Sequence, residues 1–76
     1  MEIKDFIKNF AEQFEETETG LFAADTRFKE LDEWSSLIAL SIIAMADAEY
    51  DVKIKGEDIR NSSTIMSLYE IVKSRS

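Results

Sequence analysis

The sequence predicts an all-α fold: a four-helix bundle with a long loop between the first and second helices and a short third helix. Three observations predict it. Apolar residues recur at helical spacing between residues 3 and 14. The segment SLIALSIIAMADAEY from Ser36 to Tyr50 contains neither Gly nor Pro. Strand-like alternation is missing outside the short apolar patch at residues 52–54. A chain of 76 residues has room for one core, so residues 1–76 are expected to form a single domain.

The first helix rests on Ile3, Phe6, Ile7, Phe10 and Phe14, which fall at three- and four-residue steps and so share one helical face. Acidic residues at Glu15, Glu16 and Glu18, followed by Gly20, end it and open a connection that runs to about Trp34. That connection holds Leu21, Phe22, Phe28, Leu31 and Trp34, too apolar for a free linker, and is expected to pack over the bundle as a lid.

The second helix is expected at residues 36–50. At 100° per residue, Ile38, Ile42, Met45 and Ala46 form its core stripe, whereas Ser36, Leu40, Ala44, Asp47 and Asp51 share another, which makes Leu40 a candidate exposed apolar contact. Lys55-Gly56 breaks the chain before Glu57-Asp58-Ile59-Arg60, one or two helical turns. A last helix over residues 64–73 places Ile65, Leu68, Tyr69 and Val72 on one face. Ser63 stands in front as its cap, and Lys73 and Arg75 lie near its negative end.

Composition narrows the function. Apolar residues at 45% and charged residues at 33% are the balance of a globular domain rather than a disordered tail. No apolar run is long enough to span a bilayer and the first residues lack a signal-peptide pattern, so no membrane insertion and a cytoplasmic location are expected. A net charge of −7 repels phosphate backbones, so no nucleic acid is expected as a partner. The same acids either keep the domain dissolved or steer basic protein surfaces towards it.

Catalytic equipment is scarce. The chain has no His and no Cys, which removes the usual general base, the usual metal ligands and any nucleophilic triad, and no enzyme activity is expected. Asp47, Glu49 and Asp51 alternate like the start of a calcium loop, but Val52 stands where that loop needs Gly, so no metal site is read there. The chemistry that remains lies at Leu31-Asp32-Glu33-Trp34-Ser35-Ser36-Leu37, where two hydroxyls meet the start of the best helix. A helix N-terminus favours a phosphate ester, which suits a phosphorylated or phosphopantetheinylated serine, but plain N-capping, which explains one of the two serines without any modification, is the simpler reading of these residues alone.

Taken in order along the chain, these residues resemble the acyl carrier proteins and related peptidyl-type carrier domains. Thr26-Arg27-Phe28 with Leu31 is similar to that family's loop before the attachment site. Trp34-Ser35-Ser36-Leu37 resembles its Asp-Ser-Leu signature, often preceded by Trp. Glu49-Tyr50-Asp51-Val52-Lys53-Ile54 resembles the run that closes its second helix, and Thr64-Ile65 with Leu68 the opening of its last helix.

The resemblance implies an acyl-carrier-like four-helix bundle carrying a covalent 4′-phosphopantetheine arm, taken from coenzyme A, on Ser36. The arm's thiol would hold acyl groups as thioesters for fatty-acid, polyketide or related biosynthesis. Ser35 then serves as a cap or as an alternative attachment site. The implied partners are a phosphopantetheinyl transferase and acyl-loading and acyl-processing enzymes with basic docking surfaces. These would meet a monomer through Asp32, Glu33, Leu37, Leu40, Asp47 and Asp51.

Two departures from the family pattern involve three positions. Ser35 stands where Asp is usual, and Ser41 and Ala48 replace acids that partner enzymes often read, which points to a specialised carrier. The run of small residues Ala39, Ala44, Ala46 and Ala48 is expected to let an apolar cavity open between the helices for the acyl chain. An unmodified acidic interaction domain with a carrier-like fold is the alternative.

Overall fold

The computed structural model describes residues 2–76, leaving Met1 outside. Four α-helices follow one another: α1 (Ile3–Ala11), α2 (Ser36–Tyr50), α3 (Gly56–Arg60) and α4 (Ile65–Arg75). Two single turns of 3-10 helix, Thr19–Leu21 and Phe28–Glu30, punctuate the connection between α1 and α2. Among the described residues there is no strand, and the 52–54 segment is extended chain that buries Val52 and Ile54 while Lys53 points outward. The all-helical expectation holds, with the long connection and the short third helix where they were placed.

The first helix is shorter than its apolar spacing suggested, ending at Ala11 rather than near Phe14. The amides of Gln13 and Phe14 donate to the carbonyls of Phe10 and Ala11 at 3.1 and 3.0 Å, a tightening into three-residue turns that bends the chain. Acids at Glu15 and Glu16 would meet the negative end of a longer helix, which disfavours extension. The bend keeps Phe14 in the core by another route, tilted against Phe22 at 4.9 Å and stacked on Phe10 at 5.6 Å.

All aromatic residues of the chain, five Phe, two Tyr and one Trp, join in one array. Tyr50 and Tyr69 lean on Phe6 at 5.8 and 5.4 Å, Phe6 on Phe10 at 6.2 Å, Phe10 on Phe28 at 5.1 Å and Phe28 on Trp34 at 5.0 Å. Phe14, Phe22, Phe28 and Trp34 come from the connection, so the connection supplies half of the aromatic core. This bears out the expectation that it packs over the bundle. Leu21 is the exception, at 56% exposure.

In α2 the predicted stripe is buried at Ile42, Met45 and Ala46, while Ile38 is only half-buried because it sits in the first turn, beside the surface junction. The helix closes on Asp51 in the left-handed conformation, φ 56°, with the Val52 amide donating back to Ala46 at 3.2 Å. This closing turn tolerates Asp better than most residues other than Gly. Helix α3 is clasped to α4: Asp58 accepts the Lys55 amide at 2.9 Å and both guanidinium arms of Arg75 at 2.6 and 2.8 Å.

The cap of α4 is Thr64, one residue later than the expected Ser63, and the helix runs on to Arg75. The Ser67 amide donates to the Thr64 hydroxyl at 3.2 Å and the Thr64 amide to the Ser67 hydroxyl at 2.9 Å, a reciprocal cap in which Ser63 takes part only through its own amide, 3.1 Å from the Ser67 hydroxyl. The next free amides, of Ile65 and Met66, donate to the Thr26 and Ala24 carbonyls at 3.1 and 2.8 Å. The connection therefore completes the cap of α4 as well as covering the core.

Candidate functional site

The junction before α2 is built by tight local turns. Leu31 donates its amide to the Phe28 carbonyl at 3.2 Å and Trp34 donates to Leu31 at 3.0 Å, folding residues 28–34 under Trp34. Trp34 is half-buried against Phe28 and Phe14 and fixes where the next two residues stand. Ser35 follows in extended conformation, φ −157°, and its hydroxyl accepts the Ile38 amide at 3.3 Å. It is the N-cap of α2.

Ser36 is the first residue of α2, is exposed, and makes no side-chain hydrogen bond among the described residues. The two hydroxyls are thus separated in role: one satisfies the helix start and the other faces outward. Beside Ser36 opens a groove of about 430 Å³ between the Phe28–Glu30 turn, α2 and α3. Trp34, Ala39, Ile43 and Ile59 supply its apolar walls, and Lys29 and Arg60 line it as well.

The four alanines expected to let a cavity open for an acyl chain do not lie together on α2. Ala44 and Ala48 face solvent and Ala46 lies sealed in the core, because 100° steps carry them to different sides of α2. Ala39 alone lines the groove.

The six residues read as a docking surface fare differently. Leu37 and Leu40 are exposed at 72% and 62%. Asp32 is exposed and lies in a cleft of about 480 Å³ with Glu16, Glu18, Glu30 and Glu33, which gathers acids on the connection rather than on α2. Glu33 is not a free acid. Its carboxylate accepts the amides of Glu15, Glu16 and Thr17 at 2.7, 3.0 and 2.8 Å and the Thr17 hydroxyl at 2.7 Å. Burial pulls its pKa up, but the bonds from the Thr17 hydroxyl and from the three amides outweigh that and hold it below the usual 4.5.

Asp47 pairs with Lys53 at 3.4 Å, an exposed contact worth about 0–1 kcal/mol. Asp51 is the closing residue of α2. Both share the outer stripe with Ser36 and Leu40, but a rise of about 1.5 Å per residue puts them roughly 17 and 22 Å away from Ser36 along the axis. Only a partner lying along α2 would touch both ends.

Sequence reasoning missed Lys29 and Arg60. Lys29 lies in the connection and Arg60 ends α3, and only the folded topology brings them to one groove; no spacing in the sequence signals it. No family model matches the chain, and no curated protein or solved structure matches it.

Proposed function

We propose that this chain is a carrier module of the acyl carrier type, monomeric and cytoplasmic, with Ser36 as the attachment point for a 4′-phosphopantetheine arm. One observation carries the proposal: Ser36 presents a free, exposed hydroxyl at the start of α2 while Ser35 satisfies the helix cap. A hydroxyl already committed to capping would have to break that bond to react; this one does not.

The residues around Ser36 suit such a group. Its oxygen would become the ester oxygen on the arm's phosphorus, with the start of a fifteen-residue helix behind it to favour the negative charge. The groove of about 430 Å³ begins at the same residue and offers apolar walls to whatever hangs from it. When attached, the arm supplies a terminal thiol able to hold an acyl group as a thioester, which the side chains of a protein without Cys cannot do. The chain's own part is address and presentation: Trp34 positions the junction, Ser35 fixes the helix start, and Asp32, Leu37 and Leu40 surround the site with an acidic and apolar surface for enzymes that load and process the cargo.

The test is a mass. Incubated with coenzyme A and a broad-specificity phosphopantetheinyl transferase, the protein gains roughly 340 Da, the weight of one such arm. Ser36→Ala gains nothing and Ser35→Ala still gains it. Labelling that survives Ser36→Ala and vanishes in Ser35→Ala moves the site by one residue.

A second function is favoured by Leu37 and Leu40, whose exposure is high for large apolar residues and needs no prosthetic group to make a binding surface. In that case the protein is an unmodified interaction domain. Mass then stays unchanged with every transferase, and Leu40→Asp releases the bound partner while Ser36→Ala does not.

A further inference from the structure

The groove beside Ser36 has the opposite electrostatic character to the rest of the molecule. The chain carries sixteen acidic residues against nine basic ones, yet among the described residues no Asp or Glu lines this groove, and Lys29 and Arg60 do. Lys29 is held there: its ammonium donates to the Arg60 backbone carbonyl at 2.9 Å, which leaves two of its three N–H donors unused. The Arg60 guanidinium makes no ion pair or hydrogen bond with another side chain among the described residues, and Nη1 lies 3.8 Å from the position a Cβ would take on Gly56. Two cations with spare donors and apolar walls around them complement an anion that bears an extended, weakly polar tail.

We propose that Lys29 and Arg60 grip the phosphodiester of the arm carried by Ser36 and lay the arm along the groove instead of leaving it free in solvent. This rests on the carrier function proposed for Ser36. Exposed cations hold a free anion weakly, but an anion tethered at a residue of the same groove is present at an effective concentration of about a millimolar or more. The arm is therefore docked for much of the time and leaves when a partner or salt competes. For a carrier this means a resting state with the thiol close to the protein and a delivering state with it extended.

Phosphorus NMR on the intact protein, after attachment of the arm and a check of its mass, tests this. The clamp predicts a wild-type phosphorus line about twofold broader than that of a freely tethered group, whose motion lies in the picosecond to nanosecond range. Arg60→Gln narrows it, and so does raising salt to about 0.5 M, which shortens the screening length to a few ångströms. Arg60→Gln removes no hydrogen bond or ion pair with another side chain among the described residues, so its melting curve should stay close to that of the wild type and the line reports the clamp. Lys29→Gln narrows the line too. Arg27→Gln, a charge change in the exposed pair with Glu30 outside the groove, leaves it broad. A wild-type line that is already narrow and indifferent to salt overturns the clamp while leaving the carrier function standing. Absence of any mass gain overturns both.

Discussion

The connection between α1 and α2 and the helix α2 itself reverse the usual association of irregular chain with loose chain. The connection has only two single turns of helix, yet it is tied down by four bonds to Glu33, by two carbonyls that cap α4, and by four aromatic rings in the core. Helix α2 is the longest and most regular element, yet it leaves Leu37 and Leu40 uncovered. Regularity satisfies backbone groups locally, so a helix can leave a face open to others; an irregular segment must find partners elsewhere and becomes fixed by finding them.

The sharpest way to break that contrast is to remove the ring on which the connection rests. Phe10 is fully buried and meets Phe6, Phe14, Phe22 and Phe28. Phe10→Ala should cost about 3–5 kcal/mol, measured by urea unfolding. That is a large part of the total, on the order of 4–11 kcal/mol, expected for a chain of this size.

Next in size is the acid side of the stability profile. Glu33 and Asp58 both have pKa values held below their usual 4.5 and 3.8, Asp58 chiefly by its hydrogen bonds from Arg75 and then from the Lys55 amide. A carboxyl whose folded pKa is depressed stabilises the fold above its unfolded pKa and stops doing so as pH falls through the lowered folded value. Melting temperature should therefore fall as pH drops below about 4.5. Glu33→Gln should melt lower than wild type at pH 7 and lose less on acidification, since its charge-assisted bonds are already gone. A parallel loss in both proteins between pH 5 and 3 contradicts this.

Smaller effects are expected on α2. Asp51→Gly relieves the left-handed position and should raise stability by about 0.5 kcal/mol, read as a shift in urea midpoint at constant slope. Leu40→Asp should change stability by no more than about 0.5 kcal/mol, because that side chain is 62% exposed and buries little. A destabilisation comparable to that of Phe10→Ala would mean that Leu40 belongs to the core and that α2 has no open face.

How much of this the sequence disclosed follows from how far apart the interacting residues lie. Helix α2 and its cap were legible because Ser35, Ile38 and the uninterrupted helix formers act within one turn of one another. The end of α1 was not, since Phe14 satisfies both a fourth helical step and a bent turn facing the core, and periodicity cannot separate the two. Glu33 looked like one more surface acid because its partners lie sixteen to eighteen positions earlier. The groove cations were hidden for the same reason, 31 residues separating Lys29 from the carbonyl it binds. At the candidate site, then, the two serine hydroxyls at the helix start could be read locally, whereas the groove beside them depends on tertiary folding.

Trp34 ends the chain of rings at one side and lines the groove beside Ser36 at the other, and it is the sole indole in the sequence. Excitation taken up by the two tyrosines at the far end of the array can pass to it, so its emission monitors both the integrity of the interior and the polarity just outside the helix start. The protein thus contains its own optical probe: unlabelled samples can report, in real time and at micromolar concentration, whether something has settled against that indole.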